Sequence, residues 1–351
     1  MEMDLKETVT ESYNLAENWL VNAMRDKGLF YYLYYPKNDS YPEKNNAIRQ
    51  LMASRLLAEI CHEKPELIPL HERNLDFLMQ YWYKETHDEL GHVFYNSKSK
   101  LGANAMLLRT LLWSPIYTDY EEEAGKLKDG ILSLMQEDGS FEPWFVEPDY
   151  AYDKDYLLTF YSGEALLALA EYYERTKDER VFRATLKSQD FYVDRYVTHM
   201  SRHYYPAYVP WHTQSLNKLW KVSQKQEYAD AIFALNDKLL ELLDHTNEVG
   251  RFYNPQTPQY GSPHSSSDGV YTEGLAYAYE VALLTGDDDH AKRYEKALTL
   301  AVNNLTKLQY TEEKAKKYKR PDRAIGAIQI AVDKTGIRID TTQHTMDAYR
   351  Y

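Results

Sequence analysis

The 351-residue chain has a single cysteine, Cys61. An internal disulfide is therefore excluded, as is a cysteine-rich metal site. Cys61 sits among apolar neighbours on a helical stretch and reads as a core residue rather than a nucleophile. Long apolar runs are also missing. None reaches the roughly 18 residues that a membrane span needs. The opening segment, MEMDLKETVTESYN, has no basic start followed by an apolar run, so a signal peptide is not expected and a cytoplasmic location is. Clustered positive charge is absent. The net charge is −13, and the densest basic stretch, 314–320 (KAKKYKR), reads as a solvated helix end. Nucleic-acid binding needs clustered cations, so neither nucleic acid nor a membrane is an expected partner. No Ser/Gly/Pro-rich linker divides the chain, and one domain over residues 1–351 is the expectation. Metal spacing is almost absent: His199 and His203 lie four apart, without the glutamate of a zinc-protease motif and without an evident third ligand. No metal and no cofactor are expected.

What the chain does have is aromatic side chains: 33 Tyr, 10 Phe and 6 Trp. Tyrosine joins an apolar ring to a polar end and suits half-wet surfaces. A ring-lined cavity and packing beneath long loops are both open readings. Apolar residues recur three and four apart from end to end, which is the period of a helix with one buried face. The segments are 5–25, 46–62, 66–83, 103–113, 120–136, 163–175, 180–196, 211–224, 227–245, 272–284, 288–308 and 340–351. A glycine followed by an aromatic or apolar cluster punctuates them at 25–31 (RDKGLFY), 87–95 (HDELGHVFY), 137–144 (EDGSFEPW) and 247–253 (NEVGRFY), with a weaker copy at 323–329 (RAIGAIQ). Glycine supplies the left-handed backbone that ends a helix. Helices apolar on most sides, such as 101–113 (LGANAMLLRTLLW), 163–169 (GEALLAL) and 274–284 (GLAYAYEVALL), alternate with helices that carry a wide charged face. The pattern thus predicts inner, buried helices alternating with outer, exposed ones, six of each, as in a closed double-walled ring, which can outgrow an ordinary single core.

The pattern resembles the (α/α)6 toroid of the six-hairpin glycosidase-like superfamily. Segment 160–182 (FYSGEALLALAEYYERTKDERVF) is similar to the repeat unit of that superfamily, and 268–294 (DGVYTEGLAYAYEVALLTGDDDHAKRY) follows the same plan. The turn at 285–287 (TGD) has the expected glycine, whereas that at 176–178 (TKD) departs from it. The resemblance covers nearly the whole chain. It implies an all-α toroid, and it spans glycoside hydrolases, polysaccharide lyases, sugar epimerases and terpenoid-handling enzymes, so it fixes a fold rather than a reaction.

In such a ring the inner helices all begin at one mouth. The polar residues at those starts are Asn45, Asn46 and Arg49; Asn104; Tyr161, Ser162 and Glu164; Trp211, His212 and Gln214; Tyr271 and Glu273; and Arg338, Asp340, Gln343 and His344. Converging helix N-termini favour anionic or hydroxyl-rich ligands. Asn46, Ser162 and Asp340 equally suit N-caps, and the helix dipole favours a glutamate in a first turn. Three features go beyond capping. Arg49 and Arg338 lie near helix starts, where a cation meets an unfavourable dipole. Segment 337–344 (IRIDTTQH) places Asp340 and His344 on one helix face, an arrangement that orients an imidazole for proton transfer. Segment 150–164 (YAYDKDYLLTFYSGE) mixes acids with rings, as sugar sites do.

The expected function is a carbohydrate-active enzyme, foremost a glycoside hydrolase using Glu164, Glu273 and Asp340 as carboxylates, with His344 beside them and Asp153 and Asp155 in reserve. Asn46, Arg49, Tyr161, Trp211, His212, Arg338 and Gln343 would hold a carbohydrate or another hydroxyl-rich or anionic small molecule. One alternative is an intracellular sugar epimerase or isomerase using His212 and His344, with Arg49 or Arg338, as the resemblance to N-acylglucosamine-type epimerases implies. Another is a non-catalytic toroid that binds a glycan or protein. A terpenoid site would want an Asp-rich motif on an inner helix, and 153–155 (DKD) matches it poorly. The sequence sets no oligomeric state.

Overall fold

The computed structural model describes residues 5–244 and 249–350. Asn247 and Glu248, which open the fourth glycine joint, lie outside the described residues, as do His245, Met1–Asp4 and Tyr351. The helices are α1 (Leu5–Asn22), α2 (Ala47–Glu63), α3 (Ile68–Tyr81), α4 (Leu101–Leu112), α5 (Glu121–Leu132), α6 (Lys154–Thr176), α7 (Glu179–Val193), one-turn α8 (Met200–His203), α9 (Tyr208–Ser223), α10 (Gln226–Leu240), α11 (Ser265–Thr285), α12 (Asp288–Leu308), one-turn α13 (Glu312–Ala315) and α14 (Ile339–Arg350). Among the described residues, the twelve longer helices correspond to the twelve expected segments.

Two boundaries differ in ways that matter for the site. Helix α6 begins nine residues before its expected start, because the Asp153 carboxylate caps it by accepting from the Tyr156 amide. Helix α11 begins seven residues early, capped by His264, whose Nδ1 accepts from the Ser266 amide at 3.1 Å. Histidine is not among the usual capping residues, so periodicity alone placed the start at the first clear apolar repeat. Glu164 and Glu273 therefore lie well inside their helices, and the N-terminal dipole does not account for them.

Contacts gather the chain into two compact units, one of residues 1–26, 30–50 and 233–351, the other of residues 27–29 and 51–232. In the second unit, α4 packs on α5 and α6, and α6 packs on α7 and α9. All twelve residues of α4 are buried, as expected for an inner helix. Leu107, Leu108 and Leu111 are fully buried, each worth about 1.5–3 kcal/mol of transfer free energy. A buried ion pair ties α4 to α6: Arg109 holds Glu171 through Nε at 2.8 Å and Nη2 at 2.9 Å. Burial alone would raise the Glu171 pKa, but Arg109 outweighs it and the carboxyl stays below its ordinary range.

In the first unit, α11 packs on α12 and α14, and α1 packs on the same two helices. A small antiparallel sheet leads into α14. Strand Leu33–Tyr34 pairs with Lys334–Arg338, setting Leu33 opposite Arg338, and Gln329–Ala331 pairs with the other edge. The Ile339 amide then donates to the Tyr32 carbonyl at 3.0 Å. Register thus places Tyr32 beside the first turn of α14.

The glycine joints share one device. Two residues beyond each glycine, the backbone amide donates to a side chain: Phe30 to Gln50 Oε1, Val93 to Asn104 Oδ1, Phe141 to the Tyr192 hydroxyl, Phe252 to Asp268 Oδ1 and Ile328 to Thr342 Oγ1, over 2.8–3.1 Å. Satisfying a buried amide in this way is close to obligatory. Asn104 is fully buried in this role. At Gly28 (φ +96°) and Gly326 (φ +91°) a Cβ would lie 2.4 Å from the Arg73 carbonyl oxygen and 2.0 Å from that of Leu15. The left-handed backbone and the missing side chain are both needed there. The basic stretch at 314–320 also has a local role. Lys314 Nζ donates to the carbonyls of Lys307 and Gln309 and so neutralises the C-terminal end of α12.

Candidate active site

The seam between α11 and α14 carries the densest set of expected site residues. On α14, Asp340, His344 and Asp347 stand four and three apart and share a face. Ser266 and Glu273 occupy the facing stripe of α11. Gly269 lies between them, where a Cβ would come within 2.9 Å of His344 Cβ. The absence of that atom lets the two helices close.

At the start of α14, Asp340 is a buried carboxylate among cations. Arg338 grips it from the preceding strand, Nε to Oδ1 at 2.5 Å and Nη2 to Oδ2 at 2.7 Å. Arg49 Nε reaches Oδ2 at 2.9 Å, and Ser266 Oγ donates to the same oxygen at 3.0 Å. Arg49 Nη1 also donates to the Tyr32 hydroxyl at 2.6 Å. Burial of Asp340 alone would raise its pKa. Arg49 and then Arg338 outweigh that and hold the carboxyl well below the usual carboxylate range. Asp340 is a fixed anion that aligns two guanidiniums, and it is poorly suited to donate a proton at neutral pH. Asn46 serves as the cap of α2: its Oδ1 accepts from the Arg49 amide at 3.2 Å, which fixes the base of that arginine.

One turn further along the seam, His344 Nδ1 faces Glu273 Oε2 at 3.5 Å, with both side chains buried. Glu273 has no guanidinium or ammonium partner among the described residues, in contrast to Asp340, Glu171 and Glu59. Its Oε2 accepts no hydrogen bond in this geometry. A buried carboxylate without a cation is costly, and the imidazole is the nearest polar group facing it. Gln343 is buried. Its Nε2 donates to Asp347 Oδ2 at 2.5 Å and lies 3.4 Å from His344 Nδ1. It supports Asp347 rather than opening to a ligand. Glu273, His344 and Asp347 bring three ligand atoms within 4.8 Å of one another, a nitrogen and oxygen donor set that could hold a divalent cation. His199, the sequence candidate, instead lies 3.3 Å from Asp194 Oδ2 on an exposed segment.

The remaining expected residues lie in the other compact unit. Tyr161, Glu164, Trp211 and His212 are buried on α6 and α9. Gly163 allows the close approach, since a Cβ there would lie 2.5 Å from Trp211 Cβ. His212 belongs to a directed hydrogen-bond chain. Ser215 Oγ donates to Gln189 Oε1 at 2.7 Å, and Gln189 Nε2 donates to His212 Nδ1 at 3.3 Å. The ring's Nε2–H then points to Ser162 Oγ at 3.0 Å, and that hydroxyl donates to the Leu158 carbonyl at 2.6 Å. This order assigns the tautomer. It also leaves the serine proton directed at a carbonyl, so Ser162 is not an activated nucleophile. Burial lowers the His212 pKa to about 3, so the ring is neutral.

Four residues at the seam were not singled out from the sequence: Tyr32, His264, Ser266 and Asp347. Tyr32 lies in a run of similar tyrosines, and only strand register distinguishes it. His264 precedes a serine-rich stretch that reads as loop. Asp347 repeats the four-and-three spacing from Asp340, and that was the available signal.

These helices have the fold of an (α/α)6 toroid. No family model matches the chain, and no curated protein matches it in sequence. Solved structures do match over its whole length. A D-mannose isomerase aligns with a TM-score of 0.73 and 12% identity, covering 100% of this chain and 98% of the isomerase. A sugar epimerase from a ruminal bacterium gives 0.71 and 11% identity, with 99% of each chain covered. A GH76A α-1,6-mannanase from Salegentibacter sp. gives 0.69 and 13% identity, again over 99% of each. At such identities the likeness establishes the fold.

Proposed function

We propose that this protein is a carbohydrate-active enzyme that moves a proton at a sugar carbon, in the manner of an epimerase or isomerase. The observation that carries this reading is the His344–Glu273 pair: a buried imidazole facing a buried carboxylate that has no other cation partner among the described residues. Glu273 would hold the Nδ1–H tautomer and stabilise the imidazolium, and Nε2 would exchange the substrate proton. Removal of a proton beside the carbonyl of an open-chain sugar sends the electron pair onto the carbonyl oxygen. Returning the proton from the same face to the neighbouring carbon gives an isomer, and protonation of the original carbon from the opposite face by a second donor would give an epimer. The solved relatives with this fold include a mannose isomerase and a sugar epimerase, which agrees with the reading.

Glycoside cleavage, the foremost expectation from sequence, needs one carboxyl that can give a proton and another that can attack or deprotonate water. Asp340, locked between two arginines, suits neither role. Glu273 with Asp347 is the other pair at the seam, with oxygens inside 4.8 Å. Asp347 is engaged by Gln343, whose Nε2 donates to its Oδ2, which disfavours it as the attacking group. The one-domain reading goes with this proposal, because the matched toroids span essentially the whole chain. A cytoplasmic location is part of the same proposal.

The test is NMR of aldoses, ketoses and their charged derivatives incubated with enzyme in heavy water. The wild-type protein should place solvent deuterium on a sugar carbon, and His344→Asn should lower that rate by about 100-fold or more, as for loss of a general base. Release of reducing ends from mannan oligosaccharides without any deuterium uptake would overturn the proposal in favour of hydrolysis.

A further inference from the structure

The polar groups around Asp340 do not balance. Its two oxygens already accept four donors: Arg338 Nε and Nη2, Arg49 Nε and Ser266 Oγ. Arg49 gives Nη1 to the Tyr32 hydroxyl. Arg49 Nη2 and Arg338 Nη1 then have no acceptor among the described residues, and the two side chains remain 33% and 19% exposed. His264 adds a further donor. Its Nδ1 accepts from the Ser266 amide, so the neutral ring carries its proton on Nε2. Burial, then Arg338, lowers the His264 pKa to about 4, which keeps it neutral. The charged groups that act most strongly on His264 are Arg338, Asp340, Arg49 and Lys334: three cations and one saturated anion. This local excess of positive charge sits in a chain of net charge −13.

We infer that Arg49, Arg338 and His264 bind an anionic substituent, a carboxylate or a phosphate ester, on the sugar that occupies this site. The inference rests on the reading of the site as a sugar site and adds the class of sugar. Each guanidinium is held in place before any ligand arrives and keeps one terminal nitrogen free, so the pair offers two charged donors to carboxylate or phosphate oxygens. Fixing them beforehand removes much of the ordering cost of binding. A neutral hexose offers hydroxyls that donate as well as accept and would leave the donor excess unmatched.

The experiment is titration calorimetry of the full-length protein with D-glucuronate, D-mannuronate, glucose 6-phosphate and mannose 6-phosphate, against glucose and mannose. At least one anionic sugar should bind about tenfold or more tighter than its neutral counterpart, and the uronate and phosphate arms show which group is taken. That preference should shrink between about 50 and 200 mM salt. Arg338→Gln should abolish it and Arg338→Lys should retain part of it, each variant first checked by thermal melting. If Arg338→Gln fails to fold, Arg49→Gln serves in its place. Binding of neutral and anionic sugars within about twofold of each other would overturn the inference. If neutral sugars bind equally well and exchange deuterium, this inference falls and the proton-transfer reading stands. If anionic sugars bind tightly but exchange nothing, the inference stands and that reading falls. If no sugar of either kind binds, both fall.

Discussion

At the scale of single residues, protonation state separates the working groups from the supporting ones. His212 and His264 are both neutral, because burial lowers their pKa values to about 3 and about 4, below the ordinary histidine value of roughly 6.5. A group whose folded pKa is depressed favours the fold above its unfolded pKa and loses that contribution as pH falls toward the folded one. Each of these histidines should therefore destabilise the protein as pH drops from about 6.5 toward 4, by about 1.4 kcal/mol per unit in the steep part of the range. Chemical denaturation measured from pH 7 to 4 should show this slope, and His212→Gln should reduce it by about one histidine's share. An unchanged slope in that variant would mean that His212 is not held neutral by its buried chain of Ser162, Gln189 and Ser215. At the same scale, Arg49, Arg338, Asp340 and His344 were legible from sequence as unusual polar residues beside apolar helices. Their division of labour was not, because it depends on which donors reach which carboxylate oxygen.

At the scale of elements, the glycine joints are the recurrent unit. Each sets a turn against the backbone of a neighbouring helix and hands the amide two residues later to a buried side chain. Gly326 is the most demanding of the two with left-handed backbone described above, since a Cβ would lie 2.0 Å from the Leu15 carbonyl oxygen. Gly326→Ala should cost about 3 kcal/mol through left-handed strain and overpacking together, measured as a lower urea midpoint with an unchanged slope. A loss below about 0.5 kcal/mol, the range of an ordinary surface change, would contradict the packing described for this joint. These joints were visible in sequence because glycine followed by aromatics is a distinctive signal. The starts of α6 and α11 were not. Asp153 caps within a stretch that reads as loop, and His264 caps with a residue type rarely used for that purpose. Locating Glu273 deep in α11 therefore required coordinates.

At the scale of the whole molecule, alternation of buried and charged helices was enough to anticipate a toroid, because a helix that is apolar on most sides must be enclosed by others. The reaction was not legible in the same way. Toroids with this pattern carry several chemistries, and the distinguishing facts are local: an arginine-locked Asp340, a Glu273 that faces His344 and has no guanidinium or ammonium partner among the described residues, and a hydrogen-bonded His212. The negative net charge of the whole protein would repel an anionic substrate at long range, but physiological salt screens that field within roughly 8 Å. The fixed arginines would therefore govern recognition at contact distance. The most direct test of the account is a crystal structure of His344→Asn with the tightest-binding sugar of the panel. The account predicts a sugar carbon within about 4 Å of the residue-344 side chain, the distance of a near-attack geometry, and an anionic group on Arg49 and Arg338. A sugar bound away from both Glu273 and residue 344 would contradict it.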